Sequence, residues 1–121
     1  MKIQILSDLH VEFENFDFPQ TDADVIVLAG DIHLGIKGVL WAKNVIQKQP
    51  LIYVLGNHEY YRNAYPKLLG KIKKETEGTN INILENQKTK IDGVTFLGCS
   101  LWTDFKLFGN PKIAGIEATK E

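Results

Sequence analysis

Residues 25–31 read Val25-Ile26-Val27-Leu28-Ala29-Gly30-Asp31, five apolar residues in a row that end on a glycine and a carboxylate. An unbroken aliphatic run, rather than one alternating with polar residues, predicts a strand buried on both faces, as in a parallel sheet. Upstream, Ile3, Ile5 and Leu6 belong to a shorter run that stops at Ser7-Asp8. Downstream, Leu51-Ile52-Tyr53-Val54-Leu55 stops at Gly56-Asn57. The same prediction applies to all three runs, and each gives way to polar residues at its carboxyl end.

Between the second and third runs, Val39, Leu40, Ala42, Val45 and Ile46 recur at helical spacing until Pro50, so the segment predicts a strand-helix-strand unit. Pro66 suits the first turn of a second helix, with Leu68, Leu69 and Ile72 inward, Lys67, Lys71, Lys73 and Lys74 in water, and Gly78 at its end. Beyond it, Ile81 and Ile83 alternate with polar residues. Lys88 to Ile91, Asp92-Gly93 and Val94 to Leu97 then predict a hairpin with a two-residue turn. After Lys106 the apolar pattern weakens, and no repeat or low-complexity tract occurs.

With 121 residues, 44% of them hydrophobic, the chain suits one globular domain. Its 14 basic and 15 acidic side chains nearly cancel, which removes the long-range field expected of a nucleic-acid or anionic-membrane binder. No signal peptide or membrane-spanning run is apparent. The single cysteine, Cys99, cannot form an intrachain disulfide and is expected as a small buried residue. These features favour a cytoplasmic setting.

In an open parallel sheet, ligands collect at the carboxyl edge of the strands. Asp8, His10, Asp31, Asn57 and His58 all fall on loops leaving that edge. Carboxylate, amide and imidazole donors together suit manganese, iron, zinc or nickel. Without a cation, Asp8 and Asp31 would repel each other in a shared water-poor site. Two divalent cations about 3.5–4 Å apart, bridged by one carboxylate, would remove that conflict and generate a hydroxide nucleophile near neutral pH. Taken singly, each piece has an ordinary reading: an aspartate after a strand caps a helix, His10 decorates a surface, and Gly56-Asn57 is a turn dipeptide. Their joint occurrence at three strand ends favours the metal site.

The order Asp8-x-His10, Gly30-Asp31, Gly56-Asn57-His58-Glu59 resembles the calcineurin-like metallophosphoesterases residue for residue. The resemblance implies that Asp8 and His10 bind a first metal, that Asp31 bridges both metals and that Asn57 binds the second. It also implies that Asn57 and His58 contact the phosphate, with His58 as the catalytic side chain that protonates the leaving oxygen or stabilises the transition state. Glu59 either orients its loop or lies exposed. Leu101-Trp102-Thr103-Asp104-Phe105 also resembles a segment of bacterial members, with Trp102 expected in the core or a pocket wall. The protein-phosphatase branch is disfavoured, because its second aspartate and arginine are Leu34 and Gly35 here. His33 is expected to be a loop residue.

The implied fold is α/β: part of an αββα sandwich, with a largely parallel sheet, flanking helices and a β-hairpin. The family's later histidine motifs are absent from the 121 residues, which hold three histidines in all. The expectation is therefore an amino-terminal portion, residues 1–121, of such a domain, with one apolar face left to self-association or a partner chain. The implied activity is metal-dependent hydrolysis of a phosphomonoester or phosphodiester, using two divalent ions. A non-catalytic interaction module on the same fold is the second reading. An aspartyl-phosphate transferase with Asp8 as nucleophile is a third, but that chemistry resembles Asp-x-Asp, and residue 10 is histidine. The Phe13, Phe16 and Phe18 region can serve as pocket wall or as core.

Overall fold

The computed structural model describes residues 1–101 together with Lys106, Leu107, Gly109, Asn110 and Lys112. Four strands, β1 (Ile3–Leu6), β2 (Val25–Ala29), β3 (Leu51–Val54) and β4 (Ile81–Ile83), form one parallel sheet in chain order. Ile5 stands opposite Val27, and Val27 opposite Ile52. The α1 helix (Lys37–Val45) links β2 to β3. Between β3 and β4 come the short α2 (Asn57–Tyr60) and the longer α3 (Lys67–Thr76). The antiparallel hairpin of β5 (Gln87–Ile91) and β6 (Val94–Gly98) follows, turning at Asp92 and Gly93. Both turn residues have positive φ, 46° and 84°, as a two-residue turn between right-twisted strands requires.

The period-two alternation of the strands divides the apolar residues between two faces. Ile26, Leu28, Leu51, Tyr53, Ile81 and Ile83 join Val39 and Ala42 of α1 and Leu68 and Ile72 of α3 in the main core. Burying each such aliphatic side chain contributes about 1.5–3 kcal/mol. Leu68, Ile72 and Thr76 are spaced four apart and form the buried stripe of α3, while its lysines 67, 71, 73 and 74 are exposed. Gly78, at φ 72°, follows the end of that helix as expected.

Val25, Ile52 and Leu84 form the centre of the opposite face, where Ile91 and Phe96 of the hairpin pack against them. The hairpin covers the β3–β4 side of that face and leaves the β1 side open. Full burial therefore holds for most of β2 and β3 but fails for β1, where Ile3 is 42% and Ile5 65% exposed. The reason is the missing second layer rather than edge position, since β4 is also an edge and its Ile81 and Ile83 are buried. Leu97 and Leu101 are also exposed beside this face, bordering an open groove with Val27, Ala29 and Val54.

The α2 helix was not legible as an element, because Gly56-Asn57 reads as a turn. Cys99 is half-buried rather than buried, since it lies just past β6 on the wall of the cleft described below. Trp102 and the rest of the 102–105 segment lie outside the described residues.

Candidate metal centre

The loop after β1 runs beside the loop after β2 and prolongs their pairing beyond the strands. The amides of Asp8, His10 and Val11 donate to the carbonyls of Gly30, Asp31 and Ile32 at 3.0, 3.1 and 2.9 Å. Leu9 and Val11 pack on the main core, while His10 and Glu12 on the same segment meet at hydrogen-bond range on its polar side. Asp8, His10 and Asp31 all have positive φ, 55°, 46° and 55°. Three non-glycine residues in that sparsely populated region, each carrying a metal-binding group, mark a locally strained site held in place by its surroundings.

The β2 and β3 loops touch through their glycines. A Cβ on Gly56 would lie 2.1 Å from Asp31 Oδ1, and one on Gly30 would lie 3.0 Å from the Gly56 amide nitrogen. Gly30 also has φ 95°, so both its conformation and its surroundings exclude a side chain. The His58 amide donates to Asp31 Oδ1 at 2.9 Å, which fixes that carboxylate against the start of α2.

Glu59 locks this junction. It is fully buried, and its oxygens accept from the amides of Asp31 (3.0 Å), Ile32 (2.8 Å) and Gly56 (2.8 Å) and from the Tyr53 hydroxyl (2.9 Å). Of its two expected roles, loop orientation is the one observed. Burial first, then the neighbouring Glu59, pushes the Tyr53 phenol well above the ordinary tyrosine range.

Ligand atoms of Asp8, His10 and Asp31 lie within 4.8 Å of one another, a spacing that one divalent cation can bridge. His10 Nε2 is 3.9 Å from Asp8 Oδ1, and Ser7 donates its hydroxyl to Asp8 Oδ2. Asn57 joins Asp8 and Asp31 in lining a cleft of 340 Å³, whose far wall is Tyr60, Cys99 and Ser100. Ser100 is anchored there by donating to Leu55 O and Glu85 Oε2. The donor set, two carboxylates, an imidazole and an amide, thus fits a divalent transition metal. Asp31 and Asn57 also line the cleft together.

His58 stands beside this cluster, with its ring 4.3 Å from that of His10 and nearly perpendicular to it. Glu12, a residue absent from the sequence-based expectations, reaches both rings through one carboxylate oxygen. Its Oε1 is 2.8 Å from His58 Nδ1 and 3.3 Å from His10 Nδ1. Burial alone would raise the Glu12 carboxyl, but its own backbone N–H and the two histidines outweigh that and hold it below the ordinary range. The alternation Asp8, His10, Glu12 around apolar Leu9 and Val11 was the available signal. Phe13 is exposed at the rim, 6.3 Å from the His58 ring, whereas Phe16 and Phe18 pack near Trp41. His33 faces its own loop, with Nδ1 accepting the Leu34 amide at 2.7 Å.

A parallel α/β sheet with carboxylate, imidazole and amide groups at its carboxyl edge defines a class of domain able to hold divalent cations there. The chain belongs to the calcineurin-like phosphoesterase family, whose model matches residues 1–103. Among curated proteins, none matches the chain. Family membership implies metal-dependent chemistry on phosphate esters. Among the described residues, no helix is long and apolar enough to cross a membrane.

Proposed function

We propose that this chain carries the metal-binding site of a metal-dependent phosphoesterase acting on a phosphomonoester or phosphodiester. The observation that carries the reading is the convergence of Asp8, His10 and Asp31 within 4.8 Å at the ends of two adjacent strands, all three with positive φ. In this reading Asp8 and His10 hold one cation, Asp31 is shared, and Asn57 serves a second. Manganese, iron, zinc or nickel would supply Lewis acidity and an activated water when bound.

The protein's own groups then have separate tasks. The His58 amide holds Asp31 Oδ1 in place, and Glu59 fixes the loops that carry both residues. His58 presents its Nε2 edge to the ester and transfers a proton to the leaving oxygen, a role suited to an imidazole near neutral pH. Asn57 contacts the phosphate as well as a cation. A cytoplasmic setting belongs to the same reading and is supported by the free thiol of Cys99.

The test is hydrolysis of bis(p-nitrophenyl) phosphate and p-nitrophenyl phosphate with added Mn2+. Activity is expected in the wild type and is expected to vanish in the Asp31→Ala, Asn57→Ala double variant. Turnover that survives both substitutions would sink the assignment. The open apolar face beside β1 favours a second reading, a scaffold module with little hydrolysis and a stable partner or a second copy on that face.

A further inference from the structure

We propose that Glu12 is a positioning residue that fixes the ring orientation and tautomer of His10 and His58 together, coupling the metal ligand to the proton donor. The proposal rests on the phosphoesterase reading for the roles of those two histidines. Its own basis is geometric.

One oxygen, Glu12 Oε1, lies within hydrogen-bond reach of both Nδ1 atoms, at 2.8 Å from His58 and 3.3 Å from His10. A carboxylate only accepts, so each ring must place its proton on Nδ1. Each Nε2 is then left with a lone pair. For His10, that lone pair is on the nitrogen 3.9 Å from Asp8 Oδ1, within the cluster that includes Asp31. For His58, Nε2 takes a proton from solvent to form the imidazolium and then gives that proton to the leaving oxygen, while Nδ1 keeps its own throughout. The opposite tautomer would present an N–H to the cation and a lone pair to Glu12.

The Glu12 side chain is only 7% exposed, and its second oxygen is buried with no hydrogen-bond partner. A buried carboxylate held by these two rings and by its own backbone N–H has little freedom to leave them. Glu12 approaches both histidines from the loop after β1, two residues beyond His10.

His10, Glu12 and His58 could also be read as three ligands of a single cation. The two readings differ in one atom: a cation there displaces the Nδ1 protons, whereas positioning by Glu12 keeps them.

The experiment is side-chain 15N–1H correlation spectroscopy of the whole chain at about pH 8, above the ordinary histidine pKa of about 6.5. It compares wild type, Glu12→Gln, Glu12→Asp and Glu12→Ala. Wild type should show Nδ1–H tautomers for His10 and His58, and added Zn2+ should shift His10 Nε2 while both Nδ1–H signals remain. Glu12→Gln keeps an acceptor at the same reach and should keep both tautomers. Glu12→Asp, shorter by one methylene, and Glu12→Ala should lose them. In hydrolysis, Glu12→Ala should lower kcat about 10- to 100-fold with little change in KM, and Glu12→Gln should recover part of the loss.

Nε2–H tautomers in the wild type, or tautomers unchanged in Glu12→Ala, would overturn the proposal. Loss of both Nδ1–H signals on adding Zn2+ would overturn it too, by placing the cation among the three side chains. If the wild type hydrolyses neither ester, the phosphoesterase reading falls, and the tautomers alone decide the placement of Glu12.

Discussion

Replacing Glu59 by alanine would strip the acceptor from three backbone amides and the Tyr53 hydroxyl at once. Each orphaned buried donor costs about 1–3 kcal/mol. Relaxation and water entry recover part of that sum, so we expect about 3–5 kcal/mol of destabilisation by urea unfolding, among the largest effects of any single substitution here. Tyr53→Phe removes one of those donors and should cost about 1–3 kcal/mol. It also tests a pH dependence. The Tyr53 phenol is raised in the folded state above the ordinary 10.0. Its contribution is therefore complete below pH 10.0 and is lost as pH climbs from there toward the raised folded value. Alkaline unfolding should be less steep in Tyr53→Phe. Gly56→Ala should abolish Mn2+ binding measured by calorimetry, because its Cβ would lie 2.1 Å from Asp31 Oδ1. Asp8, His10, Asp31, Asn57 and His58 could be singled out as candidates because each follows closely on the end of a short apolar run. Glu12 was not, because its meaning depends on how the β1 loop packs against α2.

At the scale of elements, the strands and the two longer helices could be read from local signals: unbroken aliphatic runs, helical spacing and proline or glycine at the ends. The Asp92-Gly93 turn belongs to the same class of signal. Gly93→Ala should destabilise the hairpin by about 1 kcal/mol, since a Cβ there has open space but an unfavourable φ of 84°. That value is checked by the urea midpoint at constant slope. What local pattern could not supply was the environment of β1. The residues of Ile3–Leu6 have the composition of a buried strand, yet burial is decided by the layer opposite, and that layer stops at the hairpin. The α2 helix was missed for a related reason. Four residues cannot sustain a helix alone, and this one is held by the reach of Glu59 back to the Gly56 amide.

Across the whole molecule, the helix-covered face and the half-covered face predict different responses to substitution. Ile5→Ser and Leu97→Ser fall on side chains 65% and 80% exposed. Each should change stability by less than about 0.5 kcal/mol while reducing any concentration-dependent association in sedimentation velocity. Ile72→Ala, on the fully buried stripe of α3, should cost about 2–5 kcal/mol. The two unequal faces also meet at the junction that Glu59 ties together. A single carboxylate holds amides of both the β2 loop and the β3 loop, and its fourth bond is to the Tyr53 side chain of the interior strand β3. All three amides share that one acceptor, so the carboxylate cannot shift away from one without disturbing its bonds to the others. In deuterium exchange, the protons of Asp31, Ile32 and Gly56 should therefore disappear with one shared rate, much slower than those of the neighbouring exposed loops. The floor of the cleft would behave as one cooperative opening unit, shut or open as a whole.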